Sequence, residues 1–118
     1  MRSTGERWET RALKELEGAG LRLIERNWHC RFGEIDLVMR DGDALVFVEV
    51  RYRDADDSGG ALASVGAAKQ AKLVRAAQSY LAQHAAAAQR PCRFDVVAFD
   101  GDGGEVRCEW LRSAFEAF

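Results

Sequence analysis

Two runs of alternating side chains, residues 33–39 and 44–53, flank Asp41-Gly42, and this junction restricts the fold more than any other stretch of the chain. Asp-Gly between alternating runs signals a tight two-residue β-hairpin. A hairpin with a fixed turn also fixes which side chains share a face. Alternation puts Glu34, Asp36 and Val38 on one face of the first strand, with Ile35, Leu37 and Met39 on the other. In the second strand Leu45, Phe47, Glu49, Arg51 and Arg53 share one face, and Val46, Val48, Val50 and Tyr52 the other. With Asp41 and Gly42 as the turn residues, paired positions sum to 83. Asp36 then faces Phe47, Glu34 faces Glu49, and Asp36 lies diagonal to Glu49 on the same face. Diagonal neighbours sit roughly 7 Å apart at the backbone, so their side chains can converge on one ion.

Glu49 stands inside Ala44-Leu-Val-Phe-Val-Glu-Val50, which reads as an interior strand. An unpaired buried carboxylate is costly there and needs a cation, a metal or a proton. Two carboxylates with nearby backbone carbonyls are hard oxygen ligands, which suit Mg²⁺ or Mn²⁺ rather than zinc. The structural alternative is a buried ion pair of Glu49 with Arg51 or Arg53.

The rest of the chain supplies helices and more strands. Ser3-Thr-Gly-Glu6 fits a capping box, followed by Trp8, Ala12, Leu13, Leu16 and Ala19 at helical spacing and a stop at Gly18 and Gly20. A strand is expected over 21–28. A polar loop spans Asp54 to Gly60, and a second helix runs from about Ser64 to about Ala88, ended by Pro91. Its apolar face is Leu73, Ala76, Ala77, Tyr80 and Leu81. Phe94–Phe99 and Val106–Leu111 read as strands joined by the turn Asp100-Gly-Asp-Gly-Gly104, before an amphipathic tail with Phe115 and Phe118. The order α-β-β-β-α-β-β points to an α/β fold, a mixed β-sheet flanked by helices, formed as one domain over 1–118.

Composition closes off several classes. At 118 residues, 47% hydrophobic and 31% charged, the chain has an ordinary globular balance. No apolar run approaches the ~20 residues that span a bilayer. The polar start, Met1-Arg-Ser-Thr-Gly-Glu6, lacks a signal-peptide core, so no membrane association and a cytoplasmic location are expected. Cys30, Cys92 and Cys108 form no Cys-x-x-Cys pair, so they read as reduced thiols. His29 and His84 have no partner spacing. The net charge of −2 argues against nucleic-acid binding, but the charges are unevenly spread. Residues 32–50 hold one Lys/Arg against five acids, whereas residues 1–31 hold seven against five and residues 51–93 seven against three. An acidic hairpin between basic flanks can hold a cation while drawing phosphates to its rim.

Glu9, Gly33-Glu-Ile-Asp36-Leu, Phe47-Val-Glu49-Val-Arg51-Tyr-Arg53, Lys69 and Arg93-Phe-Asp95-Val-Val together resemble the YraN family of small bacterial proteins over nearly the whole chain. That family is similar to the PD-(D/E)xK nucleases, with their restriction endonuclease-like core, and especially to archaeal Holliday-junction resolvases. The resemblance implies that Glu9, Asp36 and Glu49 ligate the metal, and that the metal-bound water attacks a phosphodiester; a plain solvated glutamate, near the polar edge of its helix, is the alternative for Glu9. It also implies a homodimer, because junctions are two-fold symmetric. Arg51 stands where the nuclease pattern has lysine. Arginine cannot serve as a base, with a pKa above ~12, but can hold the scissile phosphate through two parallel hydrogen bonds. Lys69 falls in the Leu73, Ala76 and Tyr80 stripe near the start of its helix, where it can substitute for the missing lysine; a snorkelling lysine with a packed stem is the alternative. Gln70, beside it, is a candidate for binding the water or a phosphate. Asp95 reads either as part of the resemblance or as a strand-end cap.

Two function classes fit these features. One is a Mg²⁺-dependent nuclease acting on structured or branched DNA; the other is a nucleic-acid-binding protein of nuclease fold without turnover, which Arg51 and the acidic pI favour. A protein-interaction module whose acids only stabilise the fold is a third.

Overall fold

The computed structural model describes residues 4–54, 60–102 and 104–116. Ser3 of the expected capping box, residues 55–59 of the expected loop, Gly103 of the last turn and Phe118 of the tail lie outside them. The elements are α1 (Thr4–Gly18), β1 (Arg22–Cys30), β2 (Gly33–Asp41), β3 (Ala44–Arg53), a one-turn α2 (Gly60–Ala63), α3 (Ala67–Gln83), a 3-10 turn (Ala87–Gln89), β4 (Cys92–Asp102) and β5 (Glu105–Phe115). The five strands lie in sequence order, with β3 and β4 parallel and every other neighbour antiparallel. The architecture is the mixed sheet flanked by helices that the alternating elements imply.

Each sheet face has its own core. Trp8, Ala12 and Leu16 of α1 pack on Leu37, Met39, Val46, Val48, Val97 and Phe99. Leu73, Ala76, Ala77 and Tyr80 of α3 pack on Ile35, Val38, Leu45, Phe47, Phe94 and Val96. A parallel pair needs cover on both faces, and the crossover from β3 to β4 through α3 supplies one of them. At the end of α1 the Leu21 N–H reaches back to the Leu16 carbonyl at 3.1 Å, while Gly20 adopts φ +99°, a left-handed stop that glycine takes without strain. Among the described residues, no helix is long and apolar enough to cross a membrane.

Four expectations are corrected. The hairpin turn is Gly42-Asp43, because Asp41 pairs with Ala44, so paired numbers sum to 85 rather than 83. Only Gly42, at φ +59°, has a positive φ in the turn, as in a II′ turn, which reserves its first central position for glycine. A change of two preserves the parity of facing positions, so Glu34 does not face Glu49; continued past its last pair, Leu37–Val48, the register instead brings Asp36 level with Glu49. The alternation of β2 also breaks. Ile35 joins Val38 and Phe47 in the α3 core, whereas Leu37 and Met39 belong to the α1 core. The ladders skip Asn27 and Asp36 between β1 and β2 and stop at Leu37–Val48 between β2 and β3, with Asn27 at φ +55°. The single helix expected from about Ser64 to about Ala88 is instead α3 followed by the 3-10 turn, and the separate turn of α2 precedes it at Gly60–Ala63. Gly66 is extended, at φ −81° and ψ −177°, so α3 starts only at Ala67. The strands β4 and β5 run longer than expected, and Phe115 ends β5 against the α3 core rather than lying in a tail.

Candidate metal centre

The break in β2 builds the site. Asp36 takes the Val50 N–H on its Oδ2 at 2.8 Å, replacing the ladder bond that a regular strand would make there. Its carboxylate therefore lies in the seam between the two sheet faces. Glu49 reaches the seam from the α3 face with its side chain only 4% exposed. Glu9 reaches it from the α1 side, on a helix anchored by Trp8, whose ring stacks on Tyr52 at 4.4 Å and tilts against Phe99 at 5.0 Å. Glu9, Asp36, Glu49, Arg51 and Lys69, with Glu34, line one cleft of about 190 Å³. The expected convergence of Asp36, Glu49 and Lys69 is thus present, and through a closer register than the diagonal one.

Cations surround the acids without neutralising all of them. Lys69 Nζ lies 3.3 Å from Glu49 Oε2, and Arg51 Nη1 lies 3.5 Å from the same oxygen. Burial, then the charge of Asp36 and a hydrogen bond with it, push the Glu49 carboxyl up to about 8 despite Lys69 and Arg51. Burial and Asp36 likewise push Glu9 up to about 7, against an Asn27 hydrogen bond and the Arg26 charge. Arg26 Nε stops 3.8 Å from Glu9 Oε1, and neither atom has a hydrogen-bond partner among the described residues. Arg26 donates instead to the Glu6 carbonyl at 2.9 Å and to Thr10 Oγ1 at 2.6 Å, tying β1 to α1.

Stability follows from these shifts. Below pH 4.5 both carboxyls are protonated whether the chain is folded or not, so they add no pH dependence. From pH 4.5 to about 8 the unfolded chain releases protons that the folded chain retains, so rising pH favours unfolding. The metal-free protein is expected to lose melting temperature across that window and to level off above it. Saturating Mg²⁺ should flatten the loss, which thermal denaturation at fixed ionic strength measures; an unchanged melting temperature from pH 5 to 9 would contradict it.

The donor set fits a hard divalent cation. Mg²⁺ keeps several waters and takes one or two carboxylates plus substrate oxygens. Asp36 and Glu49 form such a pair. Among the described residues, no three His, Cys, Asp or Glu side chains close on one point as a ready cage, and Glu9 leans toward Arg26.

The remaining expected residues have separate positions. Arg51 Nε donates to Ser64 Oγ at 2.8 Å, Ser64 Oγ donates to the Ala61 carbonyl, and the Ala61 N–H donates to Asp100 Oδ1 at 2.7 Å. Ser64 and Asp100 thus brace Arg51 from β4, a link that adjacent sequence does not signal. Gln70 is not among the cleft's lining residues, and its side-chain amide donates to the Val65 carbonyl at 3.0 Å. Asp95 is not a strand-end cap: it sits inside β4, 1% exposed, accepting from Arg93, Trp110 and the Ser113 N–H. His29 pairs with Glu34 at the rim, 3.3 Å away.

A mixed sheet covered by helices, with a carboxylate pair and a lysine in a cleft at a hairpin break, defines an α/β protein with a nuclease-like core. Comparison with known proteins identifies the family. The chain matches the model of the uncharacterised protein family UPF0102 over residues 8–99 and belongs to that family. A UPF0102 protein of Stutzerimonas stutzeri is 55% identical over 115 residues, covering 98% of this chain and 96% of that protein. Relatives in Alkalilimnicola ehrlichii and Pseudomonas fluorescens are 55% and 51% identical, covering 97% of this chain in each case and 87% and 94% of their own lengths.

Proposed function

We propose that this protein binds DNA and hydrolyses a phosphodiester bond with the help of Mg²⁺ or Mn²⁺, on structured or branched substrates. The observation that carries this reading is the meeting of Asp36, Glu49, Lys69 and Arg51 in one cleft. Asp36 and Glu49 would hold the cation, with Glu9 positioned to join them. A cation held there would supply a water of lowered pKa and stabilise charge on the phosphoryl oxygens. Lys69, beside Glu49, would orient the attacking water and offer the charge that the nuclease pattern places on the strand of Glu49. Arg51, held by Ser64, grips a phosphate oxygen and cannot act as a base.

These roles separate in kinetics. Lys69→Ala is expected to lower kcat by about a hundredfold with little change in KM, as for a group acting in the transition state. Arg51→Ala should mainly raise KM, by about tenfold. The decisive experiment is a cleavage assay over linear, flapped, junction and RNA substrates with Mg²⁺, Mn²⁺ or chelator. Metal-dependent cleavage by the wild type that disappears in Asp36→Ala and Glu49→Ala supports the reading, whereas cleavage surviving both substitutions defeats it. Retained DNA binding without cleavage would favour the second reading, a binder of nuclease fold, which the arginine at position 51 also suits.

A further inference from the structure

A second cavity, of about 380 Å³, lies beneath the turn that follows α3. It reaches β3 at Leu45, four residues and roughly 13 Å of strand from Glu49. Its volume falls in the range of small-molecule sites, about 300–1,000 Å³. Leu45 and Tyr80, both almost fully buried, contribute to an apolar lining completed by Ile24 and the Ala85–Ala87 turn. The His84 ring stacks on Tyr80 at 4.0 Å, and its Nδ1 lies 2.8 Å from the Tyr80 carbonyl, which gives that side a flat, fixed wall.

The charged lining is of one sign. Arg40 and Arg90 line the cavity, and among the described residues no acid does. Arg40 Nε donates to the Gly42 carbonyl at 2.9 Å, which steadies its stem and leaves the terminal nitrogens for a ligand. Arg90 Nη1 is buried and has no hydrogen-bond partner among the described residues. The carboxylate nearest to it is Asp43, 3.7 Å away and 93% exposed, too distant for a hydrogen bond. The Arg90 guanidinium as a whole is 35% exposed and is paired only loosely with a carboxylate that faces solvent, so a ligand carboxylate on its accessible nitrogens can compete with Asp43 for the charge. A sugar or nucleotide would leave its hydroxyl groups unpaired against the apolar walls.

We propose that this cavity binds a small organic acid, its apolar body against Leu45, Tyr80 and the alanine turn and its carboxylate on Arg90 and Arg40. The site is independent of the carboxylate cleft. The test is titration of the ¹⁵N-labelled full chain with 4-phenylbutyrate and with octanoate. At least one acid should shift the amides of Tyr80, residues 85–87 and Arg90 saturably while those of Asp36 and Glu49 stay in place. The uncharged 4-phenylbutyramide should bind at least tenfold more weakly than its acid. Arg90→Gln should weaken the acids at least tenfold, and Ala86→Leu, which fills the cavity and leaves both arginines, should also displace them. No saturable shift with either acid, or equal binding by the amide, overturns the proposal.

Discussion

Glu49→Gln is expected to abolish metal-dependent cleavage while making the metal-free protein more stable at alkaline pH. The two effects have one origin. Glu49 is 4% exposed, and burial together with Asp36 raises its carboxyl to about 8. Folding above that pH confines a negative charge beside another one. Glutamine keeps the shape and can still accept from Lys69 and Arg51, but carries no charge. At pH 4 the two proteins should melt alike, because Glu49 is then neutral in both states. At pH 9 the variant should gain on the order of a few kcal/mol. Cleavage should fall by three orders of magnitude or more, equivalent to ~4 kcal/mol of transition-state stabilisation. Denaturation at the two pH values and single-turnover cleavage measure the pair. Loss of stability at pH 9 would instead mark Glu49 as the anion of a structural ion pair with Lys69 and Arg51. Cleavage within tenfold of the wild type would remove Glu49 from the metal site.

Asp95→Ala should be the most destabilising single substitution in the sheet. Asp95 accepts from Arg93 Nε at 3.0 Å and Nη2 at 3.2 Å, from Trp110 Nε1 at 2.9 Å and from the Ser113 N–H at 3.1 Å. Arg93 continues the network to Asp41 at 2.9 Å, so one buried carboxylate joins the hairpin turn, β4 and β5. Removing it strands a partly buried guanidinium and two N–H donors, a loss of about 3–5 kcal/mol. The melting temperature should drop by roughly 10–20 °C. Asp95→Asn, which keeps an acceptor for Trp110 or Ser113, should lose less than half as much. Equal melting of wild type and Asp95→Ala would show that the network adds nothing.

Much of the site was legible because the parity of facing positions survives a register error, even though β2 breaks at Asp36. Misplacing the turn by one residue moved the pairing by two, so Asp36 and Glu49 still met. Lys69 was legible from its helical phase with Leu73 and Tyr80. The break between Ile35 and Leu37 was not, since it depends on Asn27 in β1 and on a side-chain bond to Val50, fourteen residues from Asp36. The brace behind Arg51 was hidden for the same reason: Asp100 and Ala61 lie 39 positions apart. Asp95 looked like a cap only because β4 was drawn too short. Gly66 was a local signal for the helix break, outweighed by the apolar stripe that follows it.

The bond from Val50 to Asp36 also bears on the order in which ligands assemble. With one carboxylate oxygen already accepting the Val50 N–H, Asp36 has less capacity left for direct ligation, and with Glu49 it would supply few of the six positions that Mg²⁺ fills. Water and phosphate must supply the rest. Ion and nucleic acid would then be mutual cofactors for binding: each raises the other's affinity by the same factor, as thermodynamic reciprocity requires. An ion titration without DNA would register weak binding, and the same titration with DNA present would move to lower concentration by the factor that magnesium adds to DNA affinity.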